Sequence, residues 1–121
     1  MTVAQLGAAV QAYDDAGIRA NVSSAAMNVH TLDALPFARE VMPLALQELL
    51  DFGPPMSAET YADYCRAAFS SLHGMSGRLR FMIAPSAPQR CTPDLMAACM
   101  DLAVDKHVPF HTHILETKMQ A

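Results

Sequence analysis

The regular alternation of helical and strand patterns constrains the fold of this chain more than any other feature. Apolar residues recur at helical spacing in three stretches, which are 2–16, 57–73 and the stretch that begins at Thr92-Pro93-Asp94. After a short turn, each is followed by a strand pattern, at 18–27, 78–86 and 108–114. Helices that alternate with strands in this way predict an α/β fold with parallel strands and crossover helices.

The rest of the chain is less regular. The stretch 28–56 predicts one helix, which begins at Met42 or Pro43 and ends at Gly53-Pro54-Pro55. Residues 116–121 predict the opening of a further helix. Only three strands are therefore predicted, and a parallel sheet needs both of its faces covered. This pattern fits a slice of a larger α/β domain, and we expect residues 1–121 to be a fragment of one.

The charge of the chain argues against a nucleic-acid partner. It has 12 acidic and 8 basic residues, with a formal net charge of -4. The basic residues are scattered singly, and only Arg78 and Arg80 are close in sequence. Because binding to a phosphate backbone needs clustered lysines and arginines, we predict no nucleic-acid surface.

Cysteine usage and hydropathy indicate the compartment. The three cysteines form no Cys-x-x-Cys pair, and their odd number favours structural thiols in a reducing compartment. No basic segment precedes the first apolar residues, as it would in a secretory signal. No apolar run approaches the roughly 20 residues that cross a bilayer. We expect a soluble, cytoplasmic protein without a membrane partner.

Two histidines and a glutamate form the most suggestive group of side chains. On a strand, His111 and His113 point to the same face because they are two residues apart, and Glu116 follows just beyond the carboxyl end. That end of the strands is where α/β folds gather ligands and catalytic groups. Imidazole is a common zinc ligand, and a nearby carboxylate can move protons for a metal-activated water.

Spacing alone leaves two interpretations of this group open. A catalytic zinc needs three protein ligands and an open position, so the two histidines are half of a site at most. The alternative is a non-catalytic α/β binding or assembly module, in which His111 and His113 are structural or bind a metal without turnover.

Three motifs resemble the amidohydrolase superfamily, and within it the metal-dependent deaminases and chlorohydrolases. They are a strand that ends in "APSAP" (84–88), a capped helix that opens with "TPDL" (92–95), and a strand that runs into "HILET" (113–117). The branch includes cytosine and guanine deaminases, methylthioadenosine/S-adenosylhomocysteine deaminases and triazine hydrolases. The resemblance covers nearly the whole chain and is weakest over 28–56.

The resemblance implies a fold and a mechanism. The fold is a (β/α)8 barrel of the TIM type, of which this chain holds about strands three to five with their helices. His113 ends the fifth strand as a metal ligand, and Glu116 is the catalytic proton shuttle. One divalent metal ion, zinc or iron with zinc favoured, makes a hydroxide from water in the full-length protein. That hydroxide attacks a ring carbon of a nitrogen heterocycle and expels ammonia or chloride.

Other parts of the family pattern have no counterpart here. The His-x-His pair of the first strand, the histidine of the sixth and the aspartate of the eighth are absent, and a complete barrel takes about 250 residues. The chain alone is therefore expected to be inactive. The pair of His111 and His113 is not the first-strand pair, because two helix–strand units precede it.

Further polar residues follow the predicted strands. We expect His111, Ser86 and Gln89 to bind the substrate, a small heterocyclic molecule, and Arg90 follows the same strand as Ser86. Turn chemistry explains the serine equally well. Asn28 and His30 follow the preceding strand, where a polar loop is the simpler interpretation. We also expect a homo-oligomer.

Overall fold

A computed structural model of the chain describes residues 2–51 and 56–118. Its helices are α1 Val3–Asp15, α2 Thr31–Ala34, α3 Ala38–Val41, α4 Leu44–Leu49, α5 Ala58–Leu72 and α6 Pro93–Lys106. Its strands are β1 Ala20–Val22, β2 Ala25–Ala26, β3 Leu79–Phe81 and β4 Ala84–Pro85. The long helices precede the strands, as the periodicity predicts.

Side-chain caps fix where the three long helices begin. The hydroxyl of Thr2 accepts a hydrogen bond from the backbone N–H of Gln5, and the side-chain oxygen of Gln5 accepts one from the backbone N–H of Thr2. Ser57 caps α5 in the same position, and Thr92 caps α6. Each cap satisfies an N–H group that has no partner within its own helix.

The strands are parallel, as predicted, and lie in the order of the sequence. β1 pairs with β3, with Ala20 opposite Leu79, and β2 pairs with β4, with Ala25 opposite Ala84. Residues 108–113, which we call the histidine segment, run parallel to β3 and β4 on the side away from β1 and β2. A β-bridge between Phe110 and Ile83 joins them. β3 and β4 are therefore the central strands of the sheet, and we refer to the two together as the central line.

The strand predicted at 18–27 is two short strands, because the chain between them bonds elsewhere. The backbone carbonyl of Ser24 accepts a hydrogen bond from the hydroxyl of Tyr61 on α5, at 2.6 Å. Ser24 is buried, so this bond satisfies a group that water cannot reach. It also ties the helix to the break in the strand.

The strand predicted at 78–86 is also divided into two short strands, β3 and β4, because Ile83 between them pairs with another segment. The N–H of Ile83 donates to the carbonyl of Pro109 at 3.0 Å, and its carbonyl accepts from the N–H of His111 at 2.9 Å. Ile83 thus pairs with the histidine segment. The predicted strand at 108–114 is reduced to this single bridge.

The helix predicted within 28–56 begins where expected, beside Pro43, but it ends earlier, and two helices before it were not predicted. Three short helices, α2, α3 and α4, occupy this stretch, and α4 begins after Pro43 and ends at Leu49. Phe37 is in a left-handed conformation with φ 62°, which separates α2 from α3. The predicted stop at 53–55 lies outside the described residues. Beyond the histidine segment, 117–118 form a bend and a turn, and the rest of that predicted helix is not described.

The core lies between the sheet and the helices. Leu79, Phe81 and Ile83 are almost completely buried, and α1, α5 and α6 pack against them. On the opposite face of β1 and β3, Asn21 and Arg80 are exposed. Helices therefore cover one face of this part of the sheet. None of the described helices has both the length and the apolar character needed to cross a membrane.

The three cysteines are free and buried, as predicted for structural thiols. Burial raises the pKa of the Cys65 thiol to about 11 and that of Cys99 to about 12. Both thiols are therefore protonated at neutral pH and pack as small apolar groups.

Replacement of Ile83 tests whether its buried side chain, between β3 and β4, stabilises the fold. Ile83→Val removes one buried methyl group, and we expect the free energy of unfolding to fall by about 1 kcal/mol in urea denaturation. Val104→Ala on the exposed side of α6 is the control and should change it by no more than about 0.5 kcal/mol. An equal loss in both variants would contradict this account of the core.

Candidate functional site

The candidate site lies at the carboxyl ends of the central line and the histidine segment. The N–H of His113 donates to the carbonyl of Ser86 at 2.9 Å, and the hydroxyl of Thr112 donates to the same carbonyl at 3.3 Å. Ser86 directly follows β4. These bonds hold the end of the histidine segment beside the end of β4.

The two imidazoles lie side by side, as the alternation of a strand predicts. The ring centroids of His111 and His113 are 5.4 Å apart, and the rings meet edge to face at 88°. Both residues are exposed. Their nitrogens are thus accessible to a ligand that approaches this edge of the sheet.

Glu116 lies next to a residue that follows β4. The side-chain amide of Gln89 donates a hydrogen bond to Oε2 of Glu116 at 3.3 Å. The structure therefore brings together two of the predicted site residues that are 27 positions apart. Gln89 lies in a short 3-10 helix, Pro88–Arg90, and Glu116 lies in a loop, both at the carboxyl edge of the sheet.

A strained residue separates His113 from Glu116, and sequence reasoning missed it. Leu115 has φ 57°, in the left-handed region that a residue with a side chain seldom adopts. Its side chain is 63% exposed, so packing does not explain the conformation. Backbone strain of this kind is typical of functional sites. No glycine or asparagine stands at this position to signal the turn.

Ser86 contributes its backbone more than its hydroxyl. The residue is buried, and its N–H donates to the carbonyl of Ala26 at 2.7 Å while its carbonyl accepts from the histidine segment. Ser86, at the end of β4, is therefore bonded through its backbone to both β2 and the histidine segment. Its role in binding substrate stays a prediction.

Asn28 and His30 have structural partners. The Asn28 amide donates to the Thr92 hydroxyl at 2.9 Å, and its oxygen accepts from the Thr92 N–H at 2.8 Å. The backbone N–H of Asn28 also donates to the carbonyl of Arg90. His30 caps α2 by accepting from the N–H of Leu32. The interpretation of both as ordered loop residues agrees with these contacts.

A cavity of about 250 Å³ lies beside this loop. Four apolar residues, one threonine and one arginine line it: Met27, Val29, Ala34, Leu35, Thr31 and Arg90. Met27 follows β2 directly, so the cavity is on the carboxyl side of the sheet. Of these residues, the sequence pointed only to Arg90.

The side chains present fit part of a metal site. His111 and His113 supply imidazole nitrogens, which suit zinc and similar ions. Within 2–51 and 56–118, however, no group of three histidine, cysteine, aspartate or glutamate residues is arranged to hold an ion. The described residues therefore supply an incomplete set of ligands.

Asn28 should stabilise the loop that carries Gln89 and Arg90. We expect Asn28→Ala to lower the free energy of unfolding by about 1–3 kcal/mol, because the N–H of Thr92 then loses its acceptor. Asn28→Asp is the matched control. It keeps an acceptor oxygen and places a negative charge at the start of α6, so it should retain most of the stability in urea denaturation. Equal loss in the two variants would show that this hydrogen bond is unimportant.

Comparison with known proteins identifies relatives of the chain. A model of the amidohydrolase family matches residues 2–120. A 5-methylthioadenosine/S-adenosylhomocysteine deaminase of Symbiobacterium thermophilum is 38% identical over 71 residues, which are 58% of this chain and 16% of that protein. The enzyme of the same name from Halothermothrix orenii is 45% identical over 42 residues, 35% of this chain and 10% of the relative.

A third relative agrees with the first two. The 5-methylthioadenosine/S-adenosylhomocysteine deaminase of Dictyoglomus turgidum is 36% identical over 45 residues, 37% of this chain and 11% of the relative. The chain thus spans a small part of the curated relatives that it matches. No solved structure matches it significantly. The match over residues 2–120 confirms the resemblance seen in the motifs, and the chain belongs to the amidohydrolase family.

Proposed function

We propose that this chain is part of a metal-dependent hydrolase that deaminates, or dechlorinates, a nitrogen heterocycle. The observation that carries the proposal is the position of His113 and Glu116 at the carboxyl edge of a parallel sheet, in a chain that matches the amidohydrolase family over residues 2–120. The relatives named as deaminases support hydrolysis of a C–N bond. 5-Methylthioadenosine and S-adenosylhomocysteine are the first substrates to assay.

In this proposal, the chain supplies about strands three to five of a (β/α)8 barrel. This assignment is supported by the parallel pairing, in sequence order, of β1 and β2 with β3 and β4 and of Ile83 with the histidine segment. Helices cover one face of this sheet. In such a barrel, the exposed face that carries Asn21 and Arg80 points inward. The remaining metal ligands would come from other strands, so the chain alone is inactive.

His113 is the residue that would hold the metal in this chain. The hydrogen bond from its N–H to the Ser86 carbonyl fixes the backbone from which the imidazole projects. Zinc, preferred here over iron, supplies a Lewis acid that activates water when it is bound. His111 lies against the edge of His113 and contacts the substrate in this proposal.

Glu116 moves the protons. It takes one from the attacking water and delivers it to the substrate as the C–N bond breaks and ammonia leaves. Gln89 engages Oε2, and Oε1 has no hydrogen-bond partner within the described ranges. One oxygen can thus be held while the other exchanges the proton. Ser86 and Gln89 are the further residues that would face the substrate.

Replacement of Glu116 in the native protein tests the proposal. Glu116→Gln keeps the size and the hydrogen-bonding capacity of the side chain but cannot carry the proton. We expect kcat to fall by about 10²–10⁴-fold, with the metal content unchanged. Deaminase turnover and elemental analysis measure the two quantities.

Glu59→Gln is the matched control. Glu59 is an exposed acid in the first turn of α5, and its replacement should leave kcat unchanged. Full turnover in Glu116→Gln would rule out the proton-shuttle role. A native protein that binds no metal and hydrolyses no heterocycle would favour the non-catalytic α/β module.

A further inference from the structure

Asn28 joins the segments that follow two neighbouring strands. Its backbone N–H and that of Val29 both donate to the carbonyl of Arg90, each at 3.1 Å. Its side-chain amide donates to the hydroxyl of Thr92 at 2.9 Å, and its side-chain oxygen accepts from the Thr92 N–H at 2.8 Å. The backbone and the side chain of Asn28, which follows β2, therefore both hold the segment 90–92 that leads from β4 into α6.

The side-chain bonds of Asn28 fix it to the start of α6. Asn28 and Thr92 are both half-buried, so water has limited access to these bonds. The Thr92 hydroxyl that accepts from Asn28 also accepts from the N–H of Leu95 at 3.3 Å and caps α6. A side chain at position 28 without an acceptor oxygen would leave the Thr92 N–H without this partner.

The turn that Asn28 holds carries Gln89. Gln89 is the middle residue of the 3-10 helix 88–90, which the N–H of Arg90 closes by donating to the carbonyl of Ala87 at 2.9 Å. Ala87 is completely buried at one end of this turn. At the other end, the Arg90 carbonyl is bound to Asn28. The backbone of Gln89 is therefore fixed on both sides.

The contact between Gln89 and Glu116 depends on this placement. The side-chain amide of Gln89 reaches Oε2 of Glu116 at 3.3 Å, at the long end of the range for such hydrogen bonds. Because the bond is already long, a small displacement of the Gln89 backbone away from the histidine segment breaks it. Asn28 is thus linked to Glu116 through bonds that are formed within the described residues.

We propose that Asn28 is a positioning residue that holds Gln89 in contact with Glu116. The geometric part of this inference concerns only these bonds. Its functional part rests on the proposed hydrolase, in which Glu116 moves the protons and needs a fixed orientation toward the attacking water. Loss of the Asn28 side chain then lowers kcat, because a carboxylate that is not held in orientation transfers protons less efficiently.

Crystal structures of the native protein and two variants test the geometry without turnover. The native protein should show the bond from Gln89 to Glu116, and a folded Asn28→Ala variant should lose it. Asn28→Asp should keep it, since one carboxylate oxygen accepts from the Thr92 N–H and the other from the Thr92 hydroxyl. An intact bond in Asn28→Ala, or its absence from the native protein, would overturn the proposal.

Steady-state kinetics of the same variants test the function, at a temperature at which circular dichroism shows all of them folded. Asn28→Ala should lower kcat about tenfold or more, with KM and the metal content little changed. In a Gln89→Ala background, the same replacement should have little further effect, because the residue through which it acts is already absent. Asn28→Asp should restore most of kcat.

Ser57→Ala is the matched control. The Ser57 hydroxyl caps α5 as Thr92 caps α6, so its loss should lower the stability and leave kcat unchanged. Full kcat in Asn28→Ala, or an equal fall in kcat with and without Gln89, would overturn the functional part, since a purely structural residue acts in both backgrounds. If the native protein hydrolyses no heterocycle, the hydrolase proposal fails, and the bond from Gln89 to Glu116 in the crystal structures decides whether Asn28 positions Gln89.

Discussion

The pairing of Ile83 with the histidine segment is the interaction on which the rest of the structure depends. Its two backbone hydrogen bonds, to Pro109 and from His111, align a segment that follows α6 with the centre of the sheet. Because this alignment is parallel, the ends of β4 and the histidine segment meet at one edge. The contact between Gln89 and Glu116 follows from that meeting, since both residues lie just beyond those ends.

The same parallel order gives the two edges of the sheet different chemistry. The carboxyl edge has imidazoles, a carboxylate and a strained turn at Leu115, which suit metal and proton chemistry. At the amino edge, Arg78 forms an ion pair with Asp14. Strand direction therefore places the candidate catalytic residues together at the carboxyl edge.

Periodicity predicted the parts of the fold whose stability is local. Helices α1, α5 and α6 have apolar stripes and hydroxyl caps, so they were evident in the sequence. The breaks in the strands were not, because they depend on distant partners such as the Tyr61 hydroxyl that bonds Ser24. The motif resemblance identified His113 and Glu116, but nothing in it revealed the left-handed Leu115 or the contact of Gln89 with Glu116. Those depend on pairing between segments, which a single sequence does not encode as a pattern.

The metal content of the native protein tests the central claim most directly. With His113 as a ligand, the protein should bind about one zinc-like ion per chain, and His113→Ala should lose it. His111→Ala should keep the ion, because His111 is assigned to the substrate. Elemental analysis of the two variants, with circular dichroism to check that both are folded, distinguishes these outcomes. A folded His113→Ala variant with its full metal content would contradict the account.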